Sequence, residues 1–353
     1  MPVRIHPLDA HRVARAKRAY ATRRVNLEQA TGLLADGYGP RAGDVVLARV
    51  EKIGQHKRLE LVTGRRADLH EGDEIVVCYG NRYAPDQFEA EVGLDLSPCD
   101  LAAAGGIAAK CLSRHAKMQP ATRIAPVGVL AHRDGTALNL EQFGLEPRRA
   151  PPHRPPVTAV VGTSMNAGKT TTAAHFALGL SRQGFVVGAA KVTGTGAGCD
   201  PWQMVDAGCV RVLDFTDCGY ASTYLLEPGQ CVAVLETLIA HLCEDDPDAI
   251  VLEVADGVLQ RETRALVGSP TFSRLVDHVI FSADDAMGAA AGVAWCREQR
   301  LDVIGVSGVL TAAPLAMREC AELVDVPVLD AQTLKGGRWL PASVARQRRP
   351  RAA

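Results

Sequence analysis

One stretch near the middle of the chain limits what it can fold into more than any other. The apolar, β-branched run Val157 to Val161 leads into Gly162-Thr163-Ser164-Met165-Asn166-Ala167-Gly168-Lys169-Thr170, and a helix-like segment, Thr171 to Gln183, follows. Strand, glycine-bounded loop and helix, in that order, are what a phosphate-binding backbone requires. The two glycines permit conformations that turn successive N–H groups onto an anion, and the new helix adds the positive end of its dipole. The first glycine comes one residue earlier than in the strict G-x-x-x-x-G-K-[ST] spacing. Gly162, Thr163, Ser164, Asn166, Ala167, Gly168, Lys169, Thr170 and Thr171 are therefore the candidate nucleotide-binding residues. Lys169 is expected to reach the β- and γ-phosphates, and the Thr170 hydroxyl to occupy one position on Mg²⁺.

Downstream, apolar runs alternate with helical stretches. Strands are expected at Val157–Val161, Val186–Val192, Val210–Phe215, Ile250–Ala255, His278–Phe281 and Val303–Ser307, with a short one at Val326–Leu329. Helices are expected at Thr171–Gln183, Gln230–Cys243, Ala286–Gln299 and Ala316–Leu323. Continuously apolar strands separated by helices indicate a parallel sheet covered on both faces, an α/β architecture. Right-handed crossovers bring the carboxyl ends of the strands to one edge, where ligands bind.

Candidate chemistry lies along that edge. Lys191 leaves the second strand into the loop Val192-Thr193-Gly194-Thr195-Gly196, so Lys169, Lys191 and Thr195 are the candidate catalytic residues. The two lysines would offset negative charge on a transferring phosphoryl group, and Thr195 would donate a hydrogen bond to substrate or phosphate oxygens. Mg²⁺ usually takes only one or two protein carboxylates. Glu253 or Asp256 is the first expectation for that acid, and Asp200, Asp214 and Asp217 are rivals that spacing does not rank. The expected metal ligands are Thr170, Glu253 and Asp214. His175, on the helix after the loop, reads as structural. Trp202 and Asp206 suit either an acceptor pocket or a packed helix start.

Residues 1–146 read as a smaller α+β domain with a β-barrel-like portion. Helices are expected at Val13–Tyr20 and Leu27–Leu34, then short strands between glycine or charged turns from Asp44 to Tyr79. Ala102-Ala103-Ala104-Gly105-Gly106 suggests a tight turn before a helix. Five prolines in Pro147–Pro156 mark a stiff, extended linker. Residues 157–335 then form the phosphate-loop domain and 336–353 a basic tail.

Bulk composition narrows the partners. A net charge of −1 supplies no field for nucleic acid or a membrane surface. The basic clusters Arg12–Arg24 and Arg346–Arg351 read as solvated faces or a tail. Ten cysteines without a C-x-x-C pair suit a reduced, cytoplasmic protein. Cys199, Cys209 and Cys218 match no common zinc spacing and read as core filling. No apolar run reaches the roughly 18 residues of a membrane span.

The loop Gly162 to Thr171 resembles that of the dethiobiotin synthetase and cobyrinic/cobyric acid synthase group of ATP-dependent ligases, which share the early glycine. Ala190-Lys191-Val192-Thr193-Gly194 is similar to that group's Lys-Pro-x-x-x-Gly, and Leu252-Glu253-Val254-Ala255-Asp256-Gly257 to its Glu-Gly-Ala-Gly-Gly. Val192 stands where proline is usual, and Val254 and Asp256 where glycine is usual. The resemblance spans about Val157 to Leu329. It implies ATP and Mg²⁺ as cofactors, phosphorylation of a small carboxylate or carbamate followed by amine attack, and a homodimer. Lys169 and Lys191 would stabilise the phosphoryl group, while Thr170 and Glu253 hold the metal. A small-molecule kinase, or a nucleotide-switched ATPase or GTPase, would use the same residues.

Overall fold

Long-range pairing dominates the first part of the chain. A computed structural model describes residues 4–337, 339–340 and 342–345. Its strands begin with β1 (Ile5–Pro7), β2 (Lys17–Arg18), β3 (Gly32–Leu34), β4 (Val45–Lys52), β5 (Arg58–Glu60) and β6 (Arg66–Asp68). They continue with β7 (Glu74–Tyr79), β8 (Phe88–Glu91), β9 (Cys99–Ala103), β10 (Ile107–Arg114) and β11 (Thr122–Ala131). The sheet runs β1-β3-β11-β4-β7-β10-β8, and β9 pairs with both β10 and β11. The pairings β11–β4–β7–β10–β9 thus return to β11. Alternate residues such as Val46, Ala48, Ile75, Val77, Leu101 and Ile124 fill one cluster inside.

Both helices expected near the N-terminus are corrected. Helix α1 covers only Ala10–Arg15, because Lys17 and Arg18 pair with Ile75 and Val76. Leu27–Gln29 is a single 3-10 turn, and Gly32–Leu34 is held as a strand between β1 and β11. Pairing on both sides overrides the local helix preference of Ala- and Leu-rich sequence. The helix expected after Ala102–Gly106 is absent as well. Gly106, at φ 102°, closes a tight turn, and β10 runs back antiparallel to β9.

Six parallel strands carry the second part: β12 (Val157–Gly162), β13 (Val187–Lys191), β14 (Arg211–Asp214), β15 (Ala249–Glu253), β16 (His278–Ser282) and β17 (Val303–Ser307). Their order is β14-β13-β15-β12-β16-β17, and β12, β13, β15 and β16 are buried at every residue. Helices α2 (Lys169–Arg182), α3 (Cys199–Asp206), α4 (Pro228–Leu242), α5 (Arg261–Val267), α6 (Pro270–Leu275), α7 (Ala286–Glu298) and α8 (Pro314–Leu323) fall between or after them. Phe176 and Leu180 of α2 pack with Val160, Ala189, Val251 and Ile280 in one core cluster. The short strand expected at Val326–Leu329 is reduced to one bridge between Val306 and Val328.

The chain does not divide at a single point. Unit 1 comprises Met1–Leu145 together with Thr195–Cys199 and Phe215–Leu225, and unit 2 holds the remainder. The proline-rich stretch is extended but fastened within unit 2. Arg148 pairs with Glu244 at 2.7 Å and Arg154 with Asp277 at 2.6 Å. The basic run Arg346–Arg351 lies outside the described residues. No helix among the described residues is long and apolar enough to cross a membrane.

Candidate nucleotide site

The turn between β12 and α2 is built from backbone conformations that restrict its residues. Gly168 caps α2 in the left-handed region at φ 90°, and Asn166 is left-handed too at φ 69°. A Cβ on Gly168 would stand 3.1 Å from the Gly308 Cα, so the loop after β17 braces the phosphate loop backbone to backbone. Val309 N–H donates to the Ala167 carbonyl at 3.1 Å, and Thr163 N–H donates to the Ser282 carbonyl at 3.0 Å. A Cβ on Gly162 would meet that same Ser282 oxygen at 2.5 Å. The first N–H groups of α2, from Lys169 to Thr171, have no carbonyl one turn back to accept from them. Unpaired N–H groups at a helix start are the feature that favours an anion.

Side chains complete the site from neighbouring strand ends, all within unit 2. Thr170 Oγ1 donates to Glu253 Oε1 at 2.7 Å. Lys191 lies in register with Glu253 on β15 and with Asp214 on β14. Its ammonium pairs with Asp200 and stands 3.9 Å from Glu253 Oε1. Lys169 Nζ donates to the Ser164 carbonyl at 2.5 Å, folded back on its own loop. Thr163 and Ser164 hydroxyls both donate to Asp284 Oδ2, at 3.1 and 2.7 Å.

Electrostatics separate the two lysines. Burial lowers the Lys169 pKa, with Glu253 and Asp256 opposing it only in part. Burial also works against the Lys191 charge, but Glu253 and Asp200 outweigh it and raise the pKa. Lys191 is thus a fixed cation at a strand end. Burial raises Glu253, while Lys191 pulls the other way. Glu253 is 2% exposed, and its Oε2 is buried with no hydrogen-bond partner. A buried, orphaned carboxylate oxygen beside a hydroxyl is a donor set that suits a hard divalent cation.

Several expectations change. Asp214 is buried at the end of β14, two strands from Glu253 in the sheet order. At ~4.8 Å per strand its backbone is roughly 10 Å from that residue's, with Lys191 in register between them. The acid beside Lys191 is Asp200, near the start of α3. Among the described residues, no group of three or more His, Cys, Asp or Glu side chains is placed to hold a metal ion. Thr195 belongs to unit 1, where it bridges to Ser222. Cys209 is a buried thiol whose pKa burial pushes up to about 12. Asp284 was not anticipated, whereas Gly308 lies in the stretch Val303–Val309, which is similar to the segment that closes the nucleotide site in the ligase group. The signal for Asp284 was its position just after the apolar run His278–Phe281.

The chain matches no protein-family model and no curated protein. Among solved structures, the signal recognition particle receptor FtsY from Elizabethkingia anophelis is similar over 59% of this chain and 69% of its own, at 16% identity and a TM-score of 0.37. The 54 kDa signal recognition particle protein from Aeropyrum pernix K1, in complex with GDP, is similar over 56% of this chain and 47% of its own, at 19% identity and 0.37. A ParA family ATPase from Chlorobium tepidum TLS is similar over 55% and 91%, at 13% identity and 0.31. These likenesses are partial; strand order and loop geometry carry the structural assignment of unit 2.

Proposed function

We propose that unit 2 binds a nucleoside triphosphate with Mg²⁺ and transfers its terminal phosphoryl group to a small acceptor. The observation that carries this reading is the Thr170–Glu253 pair, with its orphaned oxygen, beside the buried Lys191 cation and directly behind the phosphate loop. Thr170 and Glu253 would hold the metal, which supplies charge neutralisation at the phosphate oxygens when bound. The α2 N–H groups and Lys169 would bind the phosphates once the lysine leaves the Ser164 carbonyl. Lys191 holds a positive charge that Asp200 orients. The finer reading is an ATP-dependent ligase acting on a small carboxylate or carbamate. The resemblance in the phosphate loop and the Lys191 position support it.

One observation favours a second reading, a nucleotide-driven switch. The loops that follow Lys191 and Asp214 contribute Thr195–Cys199 and Phe215–Leu225 to unit 1, so the chain passes from one unit to the other after two of the strand ends that carry site residues. Calorimetry with Mg-ATP and Mg-GTP, then phosphate release with and without small carboxylates and ammonia, tests both. Product only with carboxylate and amine together supports the ligase. A stable phosphorylated acceptor without amine supports a kinase, and acceptor-independent hydrolysis supports the switch. Failure of both nucleotides to bind removes all three.

A further inference from the structure

Beyond Glu253 the chain stays against the phosphate loop. Val254 N–H donates to the Val160 carbonyl at 3.0 Å, and Val258 N–H donates to the Gly162 carbonyl at 2.9 Å. A Cβ on Gly257 would collide with the Thr163 carbonyl oxygen. Between these attachments Asp256 is left-handed at φ 63° and only 8% exposed. Aspartate tolerates that conformation better than most residues, but a strained backbone persists only where its surroundings hold it. Two hydroxyls fix the peptide that precedes it. Thr193 Oγ1, after β13, donates to the Ala255 carbonyl at 3.2 Å, and Thr263 Oγ1, on α5, donates to the same oxygen at 3.0 Å. Both threonines are 1% exposed, and all of these residues belong to unit 2. The Asp256 charge favours the ammonium forms of Lys169 and Lys191 alike, which places its carboxylate within Coulombic range of both.

We propose that Asp256 is a further catalytic residue, which orients the attacking group by accepting a hydrogen bond from its O–H or N–H. Thr193 and Thr263 are positioning residues for it, acting through the Ala255 carbonyl. A carboxylate is a strong, directional acceptor, and holding the nucleophile in one orientation removes part of the barrier to attack. Without a threonine hydroxyl the Ala255 peptide is freer to turn, and the Asp256 carboxylate turns with it. The inference rests on the reading of unit 2 as a phosphoryl-transfer site. It narrows the attacking group to one that brings a hydrogen-bond donor, such as water, a hydroxyl or an amine.

Calorimetry tests this with water as the attacking group. Binding of Mg-ADP is compared with binding of Mg-ADP plus aluminium fluoride, a mimic of the phosphoryl group in flight. The proteins are the wild type, Asp256→Gly, Thr263→Val, Thr263→Ser and the double variant Asp256→Gly/Thr263→Val. Glycine accepts the left-handed backbone without strain, so Asp256→Gly removes the carboxylate alone. It should lose about 10-fold or more of the fluoride-dependent gain. Thr263→Val should lose about 3- to 10-fold of that gain and Thr263→Ser should retain it, with Mg-ADP affinity within about 2-fold of wild type throughout. In the double variant the valine should cost almost nothing further, since Thr263 acts only through Asp256. The proposal is overturned if Asp256→Gly keeps the wild-type gain, or if Thr263→Val costs as much without the Asp256 carboxylate as with it. Should Thr263→Val not fold, Thr193→Val decides by the same cycle. Absence of Mg-ADP binding, or of any fluoride-dependent gain, in the wild type would remove the phosphoryl-transfer reading and this proposal with it.

Discussion

Lys169 and Lys191 are both buried near Glu253, yet their surroundings assign them different work. Lys169 has its charge weakened by burial and rests on a loop carbonyl, so an arriving phosphate supplies the counter-charge it lacks. Lys169→Ala is expected to weaken Mg-nucleotide binding by about 10- to 100-fold in calorimetry. Lys191 already has Asp200 and Glu253 as partners, so its charge is most needed when more negative charge develops. Lys191→Ala should leave nucleotide affinity within a few-fold and lower turnover by roughly 10²- to 10³-fold. Equal loss of binding in both variants would remove that division of roles. A different residue contributes to the acid sensitivity of unit 1. His56 is pushed down to about 4 by burial and by the nearby Arg82 guanidinium. Its imidazole hydrogen-bonds with the Ala102 carbonyl at 3.0 Å. Folded His56 takes a proton less readily than the unfolded chain, so stability is complete above the unfolded value of 6.5 and falls as pH drops toward 4. The loss over that window is roughly 3 kcal/mol, and denaturant melts of His56→Gln at pH 7 and pH 4.5 should show most of the slope removed.

At the level of elements, the loop after β17 matters because it presses on the phosphate loop from outside the motif. Gly308 is at φ 104°, and a Cβ there would stand 2.7 Å from the Ala283 nitrogen while also meeting the Ala167 carbonyl. Gly72 offers a control, since at φ 91° it has nothing within 4 Å of a new Cβ. Gly72→Ala should cost only the left-handed backbone penalty, about 1–2 kcal/mol, and leave nucleotide binding unchanged. Gly308→Ala adds a steric clash to that penalty. It should cost about 2–4 kcal/mol and weaken nucleotide binding by about 10-fold, both read from thermal melts and calorimetry. Equal effects of the two substitutions on binding would mean that Gly308 does not brace the loop. Four of the strands of unit 2, β12, β13, β15 and β16, were legible because each is a largely apolar run buried at every residue, a pattern that needs no partner to be recognised. Lys17–Arg18 and Gly32–Leu34 were not legible, because their strand conformation comes from Ile75–Val76, β1 and β11, all remote or polar in sequence. The same reason applies within the site. Lys169, Thr170 and Glu253 follow from local motifs, whereas Asp200 is selected over Asp214 only by the path of the chain between β13 and α3.

At the level of the whole molecule, that path has a consequence for how the protein can be cut. A conventional boundary near residue 146 separates the N-terminal sheet from the phosphate-loop domain. Unit 1, however, includes Thr195–Cys199 and Phe215–Leu225. Within it, Arg23 pairs with Asp217 at 2.7 Å and stacks over the Tyr20 ring, its guanidinium carbon 4.2 Å from the ring centroid. Leu145 N–H donates to the Asp217 carbonyl at 2.7 Å, and Ala221 is buried among Val45, Val76 and Ile107. A fragment of residues 1–145 would lose the Asp217 partner of Arg23, the Gly198 donor to buried Glu60 and the apolar filling by Ala221. Arg23 is only partly buried, so losing its partner costs less than the about 3–5 kcal/mol of a fully buried pair, but that loss adds to the donor taken from buried Glu60. A domain of this size commonly has a total stability of about 5–15 kcal/mol. The fragment 1–145 is therefore expected to lack a cooperative thermal transition by circular dichroism, while the full chain melts cooperatively. Proteolysis should report the same difference, since a fragment without those segments opens often enough to be cut throughout. If 1–145 instead melted as sharply as the full chain, Thr195–Cys199 and Phe215–Leu225 would be passengers on unit 1.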